Sequence, residues 1–551
     1  VEQQLQAMST RQKVGQLFVP RVYGTTADTT QAKDVARNMA ELGVRNAAEL
    51  VRQYGIGGII YFGANVTTPR ALARFGNDLQ RAAAGNAVPI PVLTAIDQEQ
   101  GIVVRVGAPA TVLPGSMALG ASRSVEAAEL AARITGEELR AMGVFADYAP
   151  VADVNLNPRN PVIGVRSFSS SPGLVAQLTA AQVRGYQQGG VAATAKHFPG
   201  HGDTAVDSHR DLPVISHGRA TLGGIDLVPF AAAIDAGVDA IMTGHLLVPA
   251  IDDSGLPATI SPAVIDGLLR TRLGFTGVVV TDSLRMDGVR TRFGDGEIAV
   301  RAILAGADQL LDPPNLVRAH AAVLAAVDSG RISQARLDSS VRRILTMKAQ
   351  RGLTSVLDAT VDLAKVPLVV GSPEHRQQAQ WITDQTTTLV ADLGQVPLPQ
   401  VSSSRILVTG SGKSATAALA AALGERGARV RVLPSGSEPD SRQIARVRIA
   451  ARSADAVVVL TYDAGRRQLA LVAALQREGT PVIVASTGAP YDLGPLPERV
   501  SALATYSDRP IAMQSLARVL AGELTAVGRL PVSIPAVKVG LRYRIGWRAP
   551  Q

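Results

Sequence analysis

The sequence predicts an α/β protein, an N-terminal β/α (TIM-type) barrel followed by a smaller α/β/α sandwich domain. Two observations carry the barrel. Eight short apolar, β-rich runs recur, at 14–20, 56–63, 91–97, 144–150, 192–198, 240–246, 277–283 and 308–314. They are separated by stretches of helical periodicity such as SVEAAELAARITGEELRAMG at 124–143, and strand–helix alternation builds parallel sheet. Charge is also concentrated at the C-terminal ends of these runs, in Asp97, Lys196, His197, His245 and Asp282. That end of a β/α barrel forms its mouth and carries its chemistry.

The elements follow in order. Residues 1–352 are expected to form the barrel and the turn-rich stretch 353–372 the link. Residues 373–551 are expected to form the sandwich. After the link the periodicity predicts a helix over about 374–389. Five further runs, RILVTG (405–410), RVRVL (429–433), AVVVLTY (456–462), PVIVAST (481–487) and ALATY (502–506), alternate with helices, but they lack comparable polar ends. GSGKS at 410–414 looks like a phosphate loop. The full motif needs a glycine where Leu407 stands, so the stretch reads as a strand-to-helix turn.

Composition excludes several function classes. Of the 551 residues 46% are apolar and 18% charged, as in a globular chain, and no apolar stretch is long enough to span a membrane. Cysteine is absent, which removes disulfides, thiolate metal sites and a cysteine nucleophile. The net charge of +9 comes from scattered arginines, and only seven of the 55 basic residues are lysine. With 4% aromatics and no basic run, nucleic acid is not an expected partner. Weak attraction to an anionic envelope polymer fits the charge. The start at Val1 without methionine suggests that something ahead of it was removed, by a signal peptidase or by design of the expressed chain.

The informative segment is KHFPGHGDTAVDSHRDLP, Lys196–Pro213, which holds three of the seven histidines. Its prolines and glycines make it a loop leaving the fifth strand, where function tends to sit. Three readings of it stand side by side. His197, His201, Asp203, Asp207 and His209 have the chemistry of zinc ligands but lack a helical His pair to fix their geometry. The same groups could simply satisfy loop backbone. Alternatively, Asp207 and His209, two residues apart, form an acid/base dyad in which the carboxylate orients the imidazole. Asp282, ending the apolar run GVVVTD, is the natural nucleophile for such a dyad. As an isolated residue it also reads as a helix cap.

These residues resemble the bacterial β-N-acetylglucosaminidases of glycoside hydrolase family 3. The string KHF-PGHG-D-T-x-x-D-S-H-x-x-L-P carries the resemblance. AIDQEQG (95–101), FADYAPVADVN (145–155), NPVIGVRSF (160–168), AIMTGHLLVP (240–249) and VVVTDSLRM (278–286) extend it in order across the first domain. The resemblance implies retaining exo-hydrolysis of terminal β-linked N-acetylglucosamine through a covalent glycosyl-enzyme, with no metal or organic cofactor. Asp282 matches the nucleophile, and Asp207 and His209 match the acid/base pair. Lys196, His197, Asp97, Arg105 and Arg166 match sugar-binding positions, and His245 a histidine at the barrel mouth. Expected substrates are chitooligosaccharides and peptidoglycan fragments (muropeptides). Expected alternatives are a phosphorylase, a broad β-glucosidase and a silent wall-binding module. A monomer is expected, exported or attached to the envelope, with a lipoprotein form and a cytoplasmic location as alternatives. Two departures stand out. Gln100 and Ile102 replace the glycine and arginine usual after Asp-Gln-Glu, and Val165 replaces an acidic residue before Arg166.

Overall fold

A computed structural model describes residues 1–206, 212–537 and 540–550. All eight runs of the first region contain strands: β1 (Phe18–Val19), β2 (Gly58–Tyr61), β3 (Leu93–Ile96), β4 (Ala146–Asp147), β5 (Ala192–Phe198), β6 (Ala240–Thr243), β7 (Val278–Thr281) and β8 (Leu310–Leu311). Most are shorter than their apolar runs. At 14–20, for example, the first residues finish the helix Thr10–Gln16, capped by Ser9.

Strands β2 to β7 form one parallel sheet in sequence order. β1 pairs in parallel with β8, and single bridges, Arg21 to Ile60 and Val280 to Gln309, tie that pair to β2 and β7. The sheet therefore curls around a core in which Phe18, Ile59, Ile96, Phe198 and Val280 are buried. The intervening helices lie outside it, and those at 125–141 and 172–188 pack closely on each other.

The second region holds β9 (Thr388–Ala391), β10 (Arg405–Gly410), β11 (Arg429–Pro434), β12 (Ala456–Thr461), β13 (Val482–Ser486) and β14 (Ser501–Ala504), in the spatial order β11-β10-β12-β13-β14-β9. Five strands are parallel and β9 runs antiparallel to β14. The structure corrects the expected 374–389 helix. Helix Pro373–Asp384 stops before a run of three threonines, and Leu389 lies in β9. β-Branched residues suit an extended, half-covered strand better than a helix turn. Apolar clusters line both faces of this sheet, one around Leu407, Val457 and Val484, the other around Val408, Val458 and Leu516. The first cluster also takes in Met117, Ala118 and Ala121 from the first region. Among the described residues no helix is long and apolar enough to cross a membrane.

Candidate active site

The carboxyl ends of the first sheet open into a cavity of about 460 Å³, lined among others by Asp97, Glu99, Arg105, Arg166, Lys196, His197, His201 and Asp282. Five of the six described sugar-site positions named by the resemblance meet there, together with the proposed nucleophile. Asp207 and His209 lie outside the described residues.

β5 supplies two adjacent pocket groups. Alternation along a strand would send Lys196 and His197 to opposite faces. Here the register against β6 slips, Lys196 opposite Met242 and Phe198 opposite Thr243, and both side chains line the pocket. Lys196 Nζ, almost wholly buried, donates to Asp97 Oδ1 at 2.8 Å and lies 2.6 Å from Glu99 Oε1. Arg166 grips the same Glu99 with Nε and Nη2, both at 2.8 Å. Burial alone would raise the Glu99 pKa, but the Arg166 and Lys196 charges hold it far below the usual carboxylate range. Asp97 is also 3.8 Å from Arg105. The result is an ionic lattice in which three cations and two carboxylates fix one another, leaving directed N–H groups for hydroxyls.

His197 Nδ1 lies 2.8 Å from Asp153 Oδ2, with Nε2 directed toward Arg166. The other oxygen of Asp153 accepts the His201 backbone N–H at 2.7 Å, so this buried carboxylate orients both histidines. His201 Nδ1 meets Thr204 Oγ1 at 2.7 Å, and burial pushes its pKa down to about 4, leaving the ring neutral. Asp203 is engaged by His217 at 2.9 Å. Among the described residues no cluster of three or more potential metal ligands occurs, and Asp207 and His209, two of the five zinc-like groups of this loop, lie outside them.

Asp282 follows β7. Its backbone N–H donates to Thr243 O at 3.0 Å, and its Oδ1 accepts the Ser283 N–H at 2.7 Å. The next helix begins only at Asp287, so Asp282 does not cap it. Burial would raise its pKa, but the nearby His197 and His245, the Ser283 N–H and Lys196 lower it below the ordinary carboxylate value. An ionised, half-buried carboxylate on the pocket wall can attack an electrophilic carbon. His245 does not reach the pocket as expected. It is fully buried, Nδ1 2.8 Å from Thr259 Oγ1 and Nε2 2.9 Å from the carbonyl of Ser283, the residue after Asp282.

Sequence reasoning did not single out Glu99, Asp153, Arg21, Arg285 or Asp312. The signal for the first two was present, since both lie inside quoted motifs, DQE and VADVN. The others form a rim in which Asp312 pairs with Arg21 and accepts the Ser283 hydroxyl at 2.8 Å, while Arg285 reaches Glu41 at 2.5 Å. Nothing local marks these long-range pairs in the sequence. The departure at Val165 is also accommodated. The acidic partner of Arg166 is Glu99, and Val165 packs on the apolar cluster of the second sheet.

A curled parallel sheet with a charged pocket at its carboxyl ends, backed by a second mostly parallel sheet, defines the class. The chain belongs to glycosyl hydrolase family 3: residues 9–347 match the Glycosyl hydrolase family 3 N terminal domain. It is similar to a family 3 β-N-acetylglucosaminidase from Paenibacillus sp. str. FPU-7, with 39% identity, a TM-score of 0.85 and coverage of 97% of this chain and 100% of that one. It is 37% identical to β-hexosaminidase A of Pseudoalteromonas piscicida over 376 residues, which are 64% of this chain and 62% of that relative's length. It is 30% identical to a β-N-acetylglucosaminidase/β-glucosidase of Cellulomonas fimi over 475 residues, covering 80% of this chain and 84% of the relative.

Proposed function

We propose that the protein is a retaining exo-β-N-acetylglucosaminidase that removes terminal β-linked N-acetylglucosamine from peptidoglycan fragments or chitooligosaccharides. The observation that carries the reading is the ionised Asp282 facing the Asp97–Glu99–Arg166–Lys196 lattice across one pocket of monosaccharide scale. The names of the relatives above support the choice of sugar.

In the first step an Asp282 oxygen attacks the anomeric carbon while the bond to the leaving oxygen breaks. His209, oriented by Asp207, gives that oxygen its proton, as the family resemblance implies. In the second step water gives a proton to His209 and attacks the same carbon, freeing Asp282. Two inversions leave the configuration retained. An imidazole with an ordinary pKa near 6.5 can give and take the proton near neutrality. The finer architecture belongs to the same reading: a closed catalytic barrel over 1–352, a link over 353–372 and a sandwich over 373–551, in an exported protein.

Release of p-nitrophenol from the β-N-acetylglucosaminide and the β-glucoside, with and without phosphate, tests this. The expected outcome is aminosugar hydrolysis indifferent to phosphate, reduced on the order of 10⁴-fold in Asp282→Asn. Phosphate-dependent turnover would make the enzyme a phosphorylase, and a preference for glucoside would make it a β-glucosidase. An unaffected variant would remove Asp282 from the mechanism.

A further inference from the structure

The turn that carries Glu99 is held from the second sheet. Arg509 lies between β14 and the helix Pro510–Leu520, and its guanidinium donates twice to one acceptor, the Gly101 carbonyl, through Nε at 3.0 Å and Nη2 at 2.7 Å. Gly101 has φ +60° and Gln100, a non-glycine, has φ +68°. Two consecutive left-handed residues reverse the chain directly after Glu99. For a residue with a Cβ that conformation costs about 1 kcal/mol and persists only when its surroundings impose it.

The surroundings are close. A Cβ on Gly101 would stand 3.0 Å from the Gly115 Cα. Gln100 Nε2 donates to Thr135 Oγ1 at 3.1 Å. The gap where this turn meets Tyr462, Tyr506 and Asp508 of the second region has room for no more than about one water. On the other side of Glu99, Gln98 is fixed by its N–H to Asp147 Oδ1 and by its side chain to the Val106 backbone. Glu99 is therefore set between two anchors, and only one of them, Arg509, comes from outside the first region.

We propose that Arg509 is a positioning residue of the sugar pocket: by holding the Gly101 carbonyl it fixes the turn that delivers Glu99, and through Glu99 it sets the Arg166 and Lys196 groups that grip the substrate. The second region thus contributes to the site without touching substrate. This rests on the proposed aminosugar function for its kinetic readout alone.

Arg509→Ala, Arg509→Lys and His375→Gln are compared with wild type. His375 joins the same two regions away from the turn, through Glu137 and Glu138. Loss of a charge-assisted contact is expected to raise KM for the p-nitrophenyl aminosugar about tenfold or more in Arg509→Ala, with kcat changed much less. Arg509→Lys, which keeps one donor, should fall between, ethylguanidinium should partly restore Arg509→Ala, and His375→Gln should keep the wild-type KM. Hydrogen exchange over residues 98–106 is read in parallel, and should accelerate in Arg509→Ala. Wild-type exchange there overturns the proposal whatever the substrate is. A KM shift shared by His375→Gln also overturns it, because the effect would then be general docking. A wild-type protein inactive on the aminosugar, with exchange still accelerated in Arg509→Ala, would refute the function and leave the positioning role standing. If Arg509→Ala fails to fold, Arg509→Lys carries both readouts.

Discussion

At the scale of single residues, the site depends on charges that are buried but compensated. Glu99 neutralises two cations at once, Arg166 and Lys196, each almost out of water. Removing one member of such a set leaves charge without a partner, which typically costs about 3–5 kcal/mol. Glu99→Gln is therefore expected to lower the urea midpoint clearly as well as to weaken sugar binding. A variant as stable as wild type would mean that water replaces the carboxylate. Glu99 was within reach of the sequence, inside the quoted DQE string. Its role was not, because its partners lie 67 and 97 residues away along the chain and no local pattern encodes such pairs.

At the scale of elements, helix Pro373–Asp384 docks on helix Val125–Ala141 through His375. Its Nδ1 is 3.0 Å from Glu138 Oε1 and its Nε2 3.0 Å from Glu137 Oε2. The bond to Glu138, more than the opposing burial, raises the His375 pKa above its ordinary value. A histidine whose folded pKa is raised binds more protons folded than unfolded between the two values. Its stabilisation is complete below about 6.5 and is lost as pH rises through the folded pKa. His375→Gln should thus lower the denaturation midpoint more at pH 5.5 than at pH 9. Equal losses at both would assign the contact to neutral hydrogen bonding. Elements of this kind were legible where one force dominates. Eight apolar runs became strands because their burial leaves no other use for them. The helix boundary near 385 was misjudged because Thr386, Thr387 and Thr388 extend the chain into β9, whose antiparallel partner β14 lies more than a hundred residues on.

At the scale of the whole molecule, the buried Lys348 of helix Gln334–Gln350 ties that helix to the segments that lead into β1 and β3. Lys348 Nζ donates to Gln16 Oε1 at 2.9 Å and to the Pro91 carbonyl at 2.7 Å, and burial pushes its pKa down to about 7. Between that value and about 10.4 the unfolded chain binds the proton that the folded chain has lost, so this group makes stability rise with pH across that window. Lys348→Met should remove that share of the rise, read as the difference in urea midpoints between pH 7 and pH 9. An identical rise in the variant would show that the lysine keeps its charge when folded. At this scale the fold class and the position of the pocket could be read from the strand ends, since a β/α sheet gathers its carboxyl ends at one mouth. The grip of Arg509 on Gly101 could not, because it joins residues 408 apart.

The central claim is that Asp282 becomes covalently attached to N-acetylglucosamine. The most direct measurement is mass spectrometry of the enzyme after brief exposure to a 5-fluoro-N-acetylglucosaminyl fluoride, which slows breakdown of the glycosyl-enzyme, followed by peptide mapping. The expected result is one sugar per chain, carried on the peptide containing Asp282 and absent from Asp282→Asn. An adduct on another carboxylate, or turnover of the parent substrate with inverted configuration at the anomeric carbon, would contradict it.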